Sequence, residues 1–171
     1  GGLGKRTVVL WGATRDVGRG APSWRRRMKV RWRGGSIVMG CYEASEETFD
    51  AARRLIDEVR PHVVRGYRSV LVEFARFLDE RPLRWRPEAV LSAAEPLLPE
   101  HRTRIERGLG APTFNRYGSR EAGLIASEGR AKLLHVMLPS VRVEVESELG
   151  VNIEGAEGRI LVTTLNNPVM P

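Results

Sequence analysis

Between Phe114 and Gly123 the chain reads FNRYGSREAG. An aromatic, a glycine, a hydroxyl and, after one spacer, a carboxylate fall within five residues, where a strand gives way to a loop. Tyr117 offers a flat face to a purine, and Gly118 leaves the backbone open to a phosphate. Ser119 can hydrogen-bond a phosphoryl oxygen, and Glu121 can hold a magnesium ion that bridges phosphates. On spacing alone a structural alternative stands equal to this one: Tyr117 packs in the core and Glu121 caps a turn. A second segment, LSAAEPL, also stands where a strand runs into a loop, and in a parallel α/β sheet ligands bind beyond the carboxyl ends of the strands. The two segments are therefore expected to face one cleft, with the backbone of residues 93–96 as the opposite wall.

Other constellations carry less. VVLWGATRDVGRG sets Gly12, Gly18 and Gly20 after a strand, but their spacing departs from G-x-G-x-x-G and a basic stretch follows instead of an apolar helix. These glycines are read as a turn. His62, His101 and His135 lie in separate elements with no thiolate or second imidazole at ligand spacing. Glu46 with Glu47, and Glu144 with Glu146, are read as solvated positions at a helix start and on one strand face.

The elements that must position the two segments follow from periodicity. RTVVLWG and GGSIVMGCY read as buried strands. SEETFDAARRLIDEVRP opens near a capping arrangement and repeats Phe49, Ala52, Leu55, Ile56 and Val59 at helical spacing before Pro61 stops it. SVLVEFARFLDE is a second helix, with Val70, Leu71, Phe74, Phe77 and Leu78 on one face. PEAVLSAAEPLLP begins as a strand, PEHRTRIERGLG is a helix with proline in its first turn and glycine at its end, and APTFNRYG returns as a strand. Alternating helices and strands with short connections predict an α/β fold with a parallel sheet flanked by helices. Past Glu128 the period changes, and LLHVMLPSVRVEVESE and GRILVTTLNN alternate like antiparallel strands. The expected division is an α/β part over residues 1–131 and the start of a β-rich subdomain over residues 132–171.

Composition bounds the function. The net charge is +7, yet residues 1–35 hold ten bases against Asp16 alone, a balance of +9, and the rest is slightly acidic. The basic character belongs to SWRRRMKVRWRGG, read as a solvated or partner-facing loop. Trp24 and Trp32 within it could stack on bases, but no second basic patch is evident to complete a groove, which argues against nucleic acid as the partner. Arginine supplies 25 of the 28 bases, a bias that a GC-rich genome also produces. Cys41 is the single cysteine, so no internal disulfide forms and a reducing, cytoplasmic setting fits. No apolar run approaches the roughly 20 residues that span a bilayer, and the first residues lack the apolar stretch of a secretory signal. The expectation is a soluble protein with no membrane partner.

YGSREAGLIASE resembles the Tyr-Gly-Ser/Thr-x-Glu motif of adenylate-forming enzymes, the acyl-CoA synthetase superfamily. It is most similar to the phenylacetate-CoA ligase branch, including the CapK-type proteins of polysaccharide gene clusters. Further stretches agree in order. RPHVVRGYRSVLVEFARFL is similar to that branch's Pro-x-x-(hydrophobic)-x-Gly-Tyr-x-Ser segment, and VLSAAEPLLPEHRTRIERGLGAPTFNRYGSRE to its adenine-wall loop and following helix. GRILVTTLNNPVMP is similar to its Gly-x-(hydrophobic)-x-x-Thr-x-Leu-x-Asn segment. The likeness runs well over residues 60–171 and loosely before them. It implies that Tyr117 stacks on adenine, Gly118 and Ser119 meet the α-phosphate region, and Glu121 binds Mg2+. Ser92, Ala93, Ala94, Glu95 and Pro96 would line the other adenine face and the acyl pocket. Ser119 and Glu121 would be the catalytic residues.

The implied reaction joins a small-molecule carboxylic acid to ATP as an acyl-adenylate, then passes the acyl group to a thiol, in most such enzymes coenzyme A. Its main demand is stabilisation of the pentacoordinate phosphorus. The departures are equally specific. The family's Ser/Thr/Gly-rich phosphate loop would lie upstream of residue 1, the Tyr-Arg-x-Gly-Asp segment just past residue 171, and the mobile C-terminal domain with its lysine further on. Glu128-Gly129 stands where CapK-type relatives often carry Glu-Cys. The chain is thus expected to be an interior fragment of a ligase, inactive by itself. The alternatives are a basic nucleic-acid-binding protein and a non-catalytic homologue in a polysaccharide biosynthesis cluster.

Overall fold

The computed structural model describes residues 4–12, 22–41, 43–153, 155 and 157–166, which fall into two compact units, Gly1–Phe114 and Asn115–Pro171. In the first, short β-branched strands alternate with helices: β1 (Arg6–Trp11), α1 (Trp24–Arg33), β2 (Gly35–Gly40), α2 (Glu46–Val59), β3 (Val63–Tyr67), α3 (Arg68–Phe77), β4 (Ala89–Ala93) and α4 (Pro99–Leu109). The strands are parallel in the order β2-β1-β3-β4, with Val8 beside Ile37 and Val64, and Gly66 beside Ser92. The chain leaves β1 toward β2, then crosses back to β3 on its other side. The order therefore reverses between β1 and β3, the place where α/β sheets of this connectivity bind ligands at the strands' carboxyl ends.

Helices α2, α3 and α4 form where the sequence predicts, and for the predicted reason. Phe49, Ala52, Leu55, Ile56 and Val59 of α2, and Val70, Leu71 and Phe74 of α3, join Val8, Leu10, Ile37, Val64 and Val90 in one buried cluster. The α2 amino end is capped by Ser45, whose Oγ accepts the Thr48 N–H at 3.2 Å. At its carboxyl end Arg60 takes a left-handed conformation, φ 51°, a position usually held by glycine. Pro99 opens α4, and Gly110, φ 68°, closes it.

One element of this unit differs from the sequence expectation, and one had none. The basic segment is not a loop: Trp24–Arg33 is a helix. It contains no glycine or proline to break it. Val30 anchors it in the core, while Arg27 pairs with Glu58 at 2.7 Å and Arg31 donates to the Glu58 carbonyl at 2.6 Å. Val63–Tyr67 is a strand although Arg65 and Gly66 interrupt its apolar pattern. A side chain at residue 66 would crowd the Leu10 carbonyl on the neighbouring strand, so close pairing selects glycine there. Of the glycine turn read after β1, Gly12 is described, while Gly18 and Gly20 fall within residues 13–21, which lie outside the described residues.

The second unit is antiparallel. The end of β5 (Thr113–Ser119) pairs with β6 (Gly123–Glu128), which pairs with β7 (Leu134–Val136). A separate sheet joins β8 (Val141–Ser147) to β10 (Arg159–Thr164) and to the two-residue β9 (Gly150–Val151). Antiparallel pairing thus begins at β6, before the change of period at Glu128, because Gly123 opens a tight hairpin where a strand-to-loop transition was expected.

Candidate functional site

In the first unit the carboxyl ends of β1, β2, β3 and β4 surround a cavity of about 390 Å³ lined by Gly12, Cys41, Ala44, Tyr67, Ser69, Val70, Glu73 and Glu95. It stands at the reversal of strand order. Gly12 is required there, since a Cβ would meet the Tyr67 ring at 2.6 Å. Tyr67 is held in turn against Trp11, with ring centroids 4.9 Å apart. The Cys41 thiol is 1% exposed, and burial pushes it up to about 12, so it remains neutral at ordinary pH.

The 92–96 segment leaves β4 beside this cavity, and its residues take distinct roles. Ser92 is fully buried, and its Oγ has no hydrogen-bond partner. Ala93 is half-buried, and Ala94 and Pro96 are exposed. Ala94 has φ +69°, a left-handed conformation that costs a non-glycine residue about 1–2 kcal/mol. What offsets this strain is the next residue. The Glu95 carboxylate accepts the Ser69 N–H at 3.0 Å and the Ser69 hydroxyl at 2.7 Å, and pairs with Arg68 at 3.0 Å. An acid from the β4 loop therefore caps the positive end of α3, where orphan N–H groups favour a negative charge. The Glu95 side chain is committed to this latch, so only its backbone is left to line a ligand wall.

In the second unit, Tyr117 is 45% exposed. The reading that packs it into the core is thereby set aside. The register of β5 and β6 shifts between Tyr117 and Gly118, and a Cβ at Gly118 would collide with the Gly123 carbonyl oxygen. Glycine at 118 is therefore demanded by the hairpin itself. The Ser119 Oγ accepts the Ala122 N–H at 3.0 Å. The Glu121 carboxylate accepts its own backbone N–H and a hydrogen bond from the Ser119 hydroxyl, which together hold it below the usual carboxylate range. Glu121 is exposed and ionised at neutral pH. Glu128, further along β6, accepts the Asn115 N–H at 2.8 Å.

The predicted residues are thus gathered as two groups, 92–96 in the first unit and 117–121 in the second. Sequence reasoning missed Arg68 and Ser69, the partners of Glu95. Their signal was the Gly-Tyr-x-Ser spacing at the start of α3, which marks a tight strand-to-helix turn with a hydroxyl in the first turn. Among the described residues no three His, Cys, Asp or Glu side chains form a metal-binding group. Magnesium suits Glu121 all the same, because that ion is commonly held by one carboxylate together with substrate phosphates and water.

The fold is that of part of the acyl-CoA ligases. The chain superposes on a 2-hydroxyisobutyryl-CoA ligase in complex with 2-HIB-AMP and CoA with a TM-score of 0.68 and 15% identity, over 94% of this chain and 35% of the ligase. With a benzoate CoA ligase from Burkholderia xenovorans LB400 the TM-score is 0.60 and the identity 18%, over 96% of this chain and 35% of the other. The amide bond synthetase McbA from Marinactinospora thermotolerans gives 0.57 and 23%, over 77% and 28%. In sequence, the chain is 25% identical over 118 residues to Protein CapK of Staphylococcus aureus, covering 66% of this chain and 26% of CapK. No family model matches. The chain therefore spans about a quarter of its curated relative and about a third of the two CoA ligases.

Proposed function

We propose that the chain is part of an ATP-dependent, carboxylate-activating ligase, and that residues 92–96 and residues 117–121 each serve its adenylation chemistry. The observation that carries this reading is the exposed Tyr117 ring followed by the ionised Glu121 at the end of β5. A substrate carboxylate oxygen attacks the α-phosphorus of ATP, the bond to pyrophosphate breaks, and an acyl-adenylate results. A thiol, coenzyme A in this reading, then attacks the acyl carbon and releases AMP.

In this reading Tyr117 offers its exposed ring to adenine, and the backbone of residues 93–96 lines the nucleotide and acyl sites. Ser119 would direct its hydroxyl to an α-phosphate oxygen, and the Glu121 carboxylate would hold Mg2+, which would offset phosphate charge. Gly118 keeps the backbone low beside the phosphate. Ser92, buried in β4 directly before Ala93, leads into this wall from beneath. The cavity at the β1/β3 reversal, which shares Glu95 with the adenine wall, takes the acyl portion. We assign the parent to the phenylacetate-CoA ligase branch, with which the CapK likeness agrees. In the parent, residues 1–131 belong to the α/β part of the AMP-binding domain, and residues 132–171 begin the β-rich subdomain.

The test is carboxylate-dependent exchange of labelled pyrophosphate into ATP by the parent. Exchange that falls at least a hundredfold in Glu121→Gln, on the scale of losing one well-placed transition-state contact, supports the reading. Salt-sensitive retention of DNA or RNA without exchange replaces it with a nucleic-acid-binding function. A parent that shows neither is a non-catalytic homologue.

A further inference from the structure

At the other edge of the parallel sheet, where β1 and β3 begin, Arg6, Arg31, Trp32, Arg60 and Trp85 line a groove of about 260 Å³. Trp32 is 79% exposed, an unusual position for an indole with nothing to cover it. Three guanidiniums enter the groove, and no carboxylate lines it. A wider pocket of about 590 Å³ adjoins it, sharing Arg60 and Trp85, and there the acids are already engaged. Asp57 accepts the N–H groups of Arg84 and Trp85, each at 2.9 Å, and Glu58 pairs with Arg27 at 2.7 Å. Glu88, near enough to feel the charge of Arg6, is paired with Lys5 at 3.0 Å.

The groove is held in shape by bonds that leave its charges free. Arg6 donates Nε to the Arg60 carbonyl at 2.8 Å, and Arg31 donates one Nη to the Glu58 carbonyl at 2.6 Å. Each uses a backbone oxygen, so among the described residues neither of these bonds spends the guanidinium on a carboxylate. Trp85 is fixed by its indole N–H, which donates to the Pro61 carbonyl at 2.8 Å. Arg60 holds its left-handed φ of 51°, and its guanidinium lies 5.7 Å from the Trp85 ring centroid. Strain at an arginine in a position that suits glycine is what a binding role would retain.

We propose that this groove binds a small phosphate monoester carrying a flat ring. Its phosphate lies among Arg6, Arg31 and Arg60, whose planar forks suit phosphate oxygens, and its ring lies against Trp32 and Trp85. The volume fits one phosphate with one small ring and excludes a polymer from the groove itself. The site stands at the opposite edge of the sheet from the strand ends that carry the ligase reading, and is independent of that reading.

The 171-residue chain is titrated with phenyl phosphate, inorganic phosphate and benzyl alcohol while the four tryptophan indole resonances are followed by NMR. Phenyl phosphate is expected to shift the Trp32 and Trp85 signals and to bind at least about tenfold more tightly than either half of the molecule alone. Arg60→Gly, which keeps the favoured left-handed cap and removes the guanidinium, should lose about tenfold in affinity, and Arg31→Gln should lose a similar amount. The proposal fails if phenyl phosphate binds no better than benzyl alcohol. It fails equally if the shifts fall on Trp11 at the far strand ends, if neither variant weakens binding, or if only a single-stranded oligonucleotide binds.

Discussion

The two units put their apolar residues to opposite uses. In residues 1–114 the strands and helices share one buried cluster that runs from Val8 to Ala111. In residues 115–171 the buried apolar side chains among the described residues are Ile125, Ala126 and Val141, while Leu133, Leu138, Leu149, Ile160, Leu161 and Leu165 stand exposed. The difference is physical: helices in the first unit cover the strand face that carries Val8, Leu10, Ile37, Val64 and Val90, whereas the short antiparallel sheets of the second bury little within their own unit. Stability should therefore concentrate in the unit that carries the Glu95 latch. The unit that carries Tyr117 and Glu121 should open more readily.

The largest test of this contrast is a pair of truncations. Phe74→Ala empties a fully buried site and should cost about 3–5 kcal/mol in denaturant unfolding. Leu161→Ala, on an exposed face, should fall within about 0.5 kcal/mol. Equal costs would erase the distinction between the units. Glu95→Ala removes charged acceptors from the start of α3 and should cost about 1.5–3 kcal/mol, with amide exchange at Ser69 accelerated while β8 and β10 are unchanged.

The buried thiol sharpens the same point through pH. The Cys41 value is raised in the folded state, so its contribution is fully present below the ordinary value of 9.0 and is lost as pH rises toward about 12. By pH 10.5 the chain should lose roughly 2 kcal/mol relative to Cys41→Ala, at 1.4 kcal/mol per unit. Identical pH profiles would show that the thiol is not buried in solution. Ser45→Ala should cost about 1 kcal/mol through loss of the α2 cap, seen as a lower denaturation midpoint with unchanged slope. Glu121 gives the smallest effect, being fully exposed. Its lowered value means that its contribution is present above the ordinary 4.5 and lost as pH falls through the lower folded value. Wild type and Glu121→Gln should therefore converge in stability only at acid pH, which parallel acid titrations would detect.

Periodicity made α2, α3 and α4 legible, because Phe49, Leu55, Ile56, Leu71 and Phe74 repeat at helical spacing and are buried for that reason. The helix at Trp24–Arg33 was hidden because its register depends on one buried residue, Val30, and on a carboxylate distant in sequence, Glu58. The strand Val63–Tyr67 was hidden by a glycine chosen for close approach to Leu10. At the candidate site, the spacing of Tyr117, Ser119 and Glu121 could be read directly, since all three lie within one hairpin. The latch between Glu95 and Ser69 could not, because it joins residues 26 positions apart and its purpose, relief of the left-handed Ala94, exists only in the fold. Gly118 was legible as a glycine, but the Gly123 carbonyl that requires it was not.

The most direct measurement is a crystal structure of the proposed full-length ligase with an acyl-adenylate bound. The account predicts adenine stacked on the Tyr117 ring and Glu95 still bonded to Ser69. Adenine bound elsewhere, with Tyr117 turned from it, would contradict the central claim.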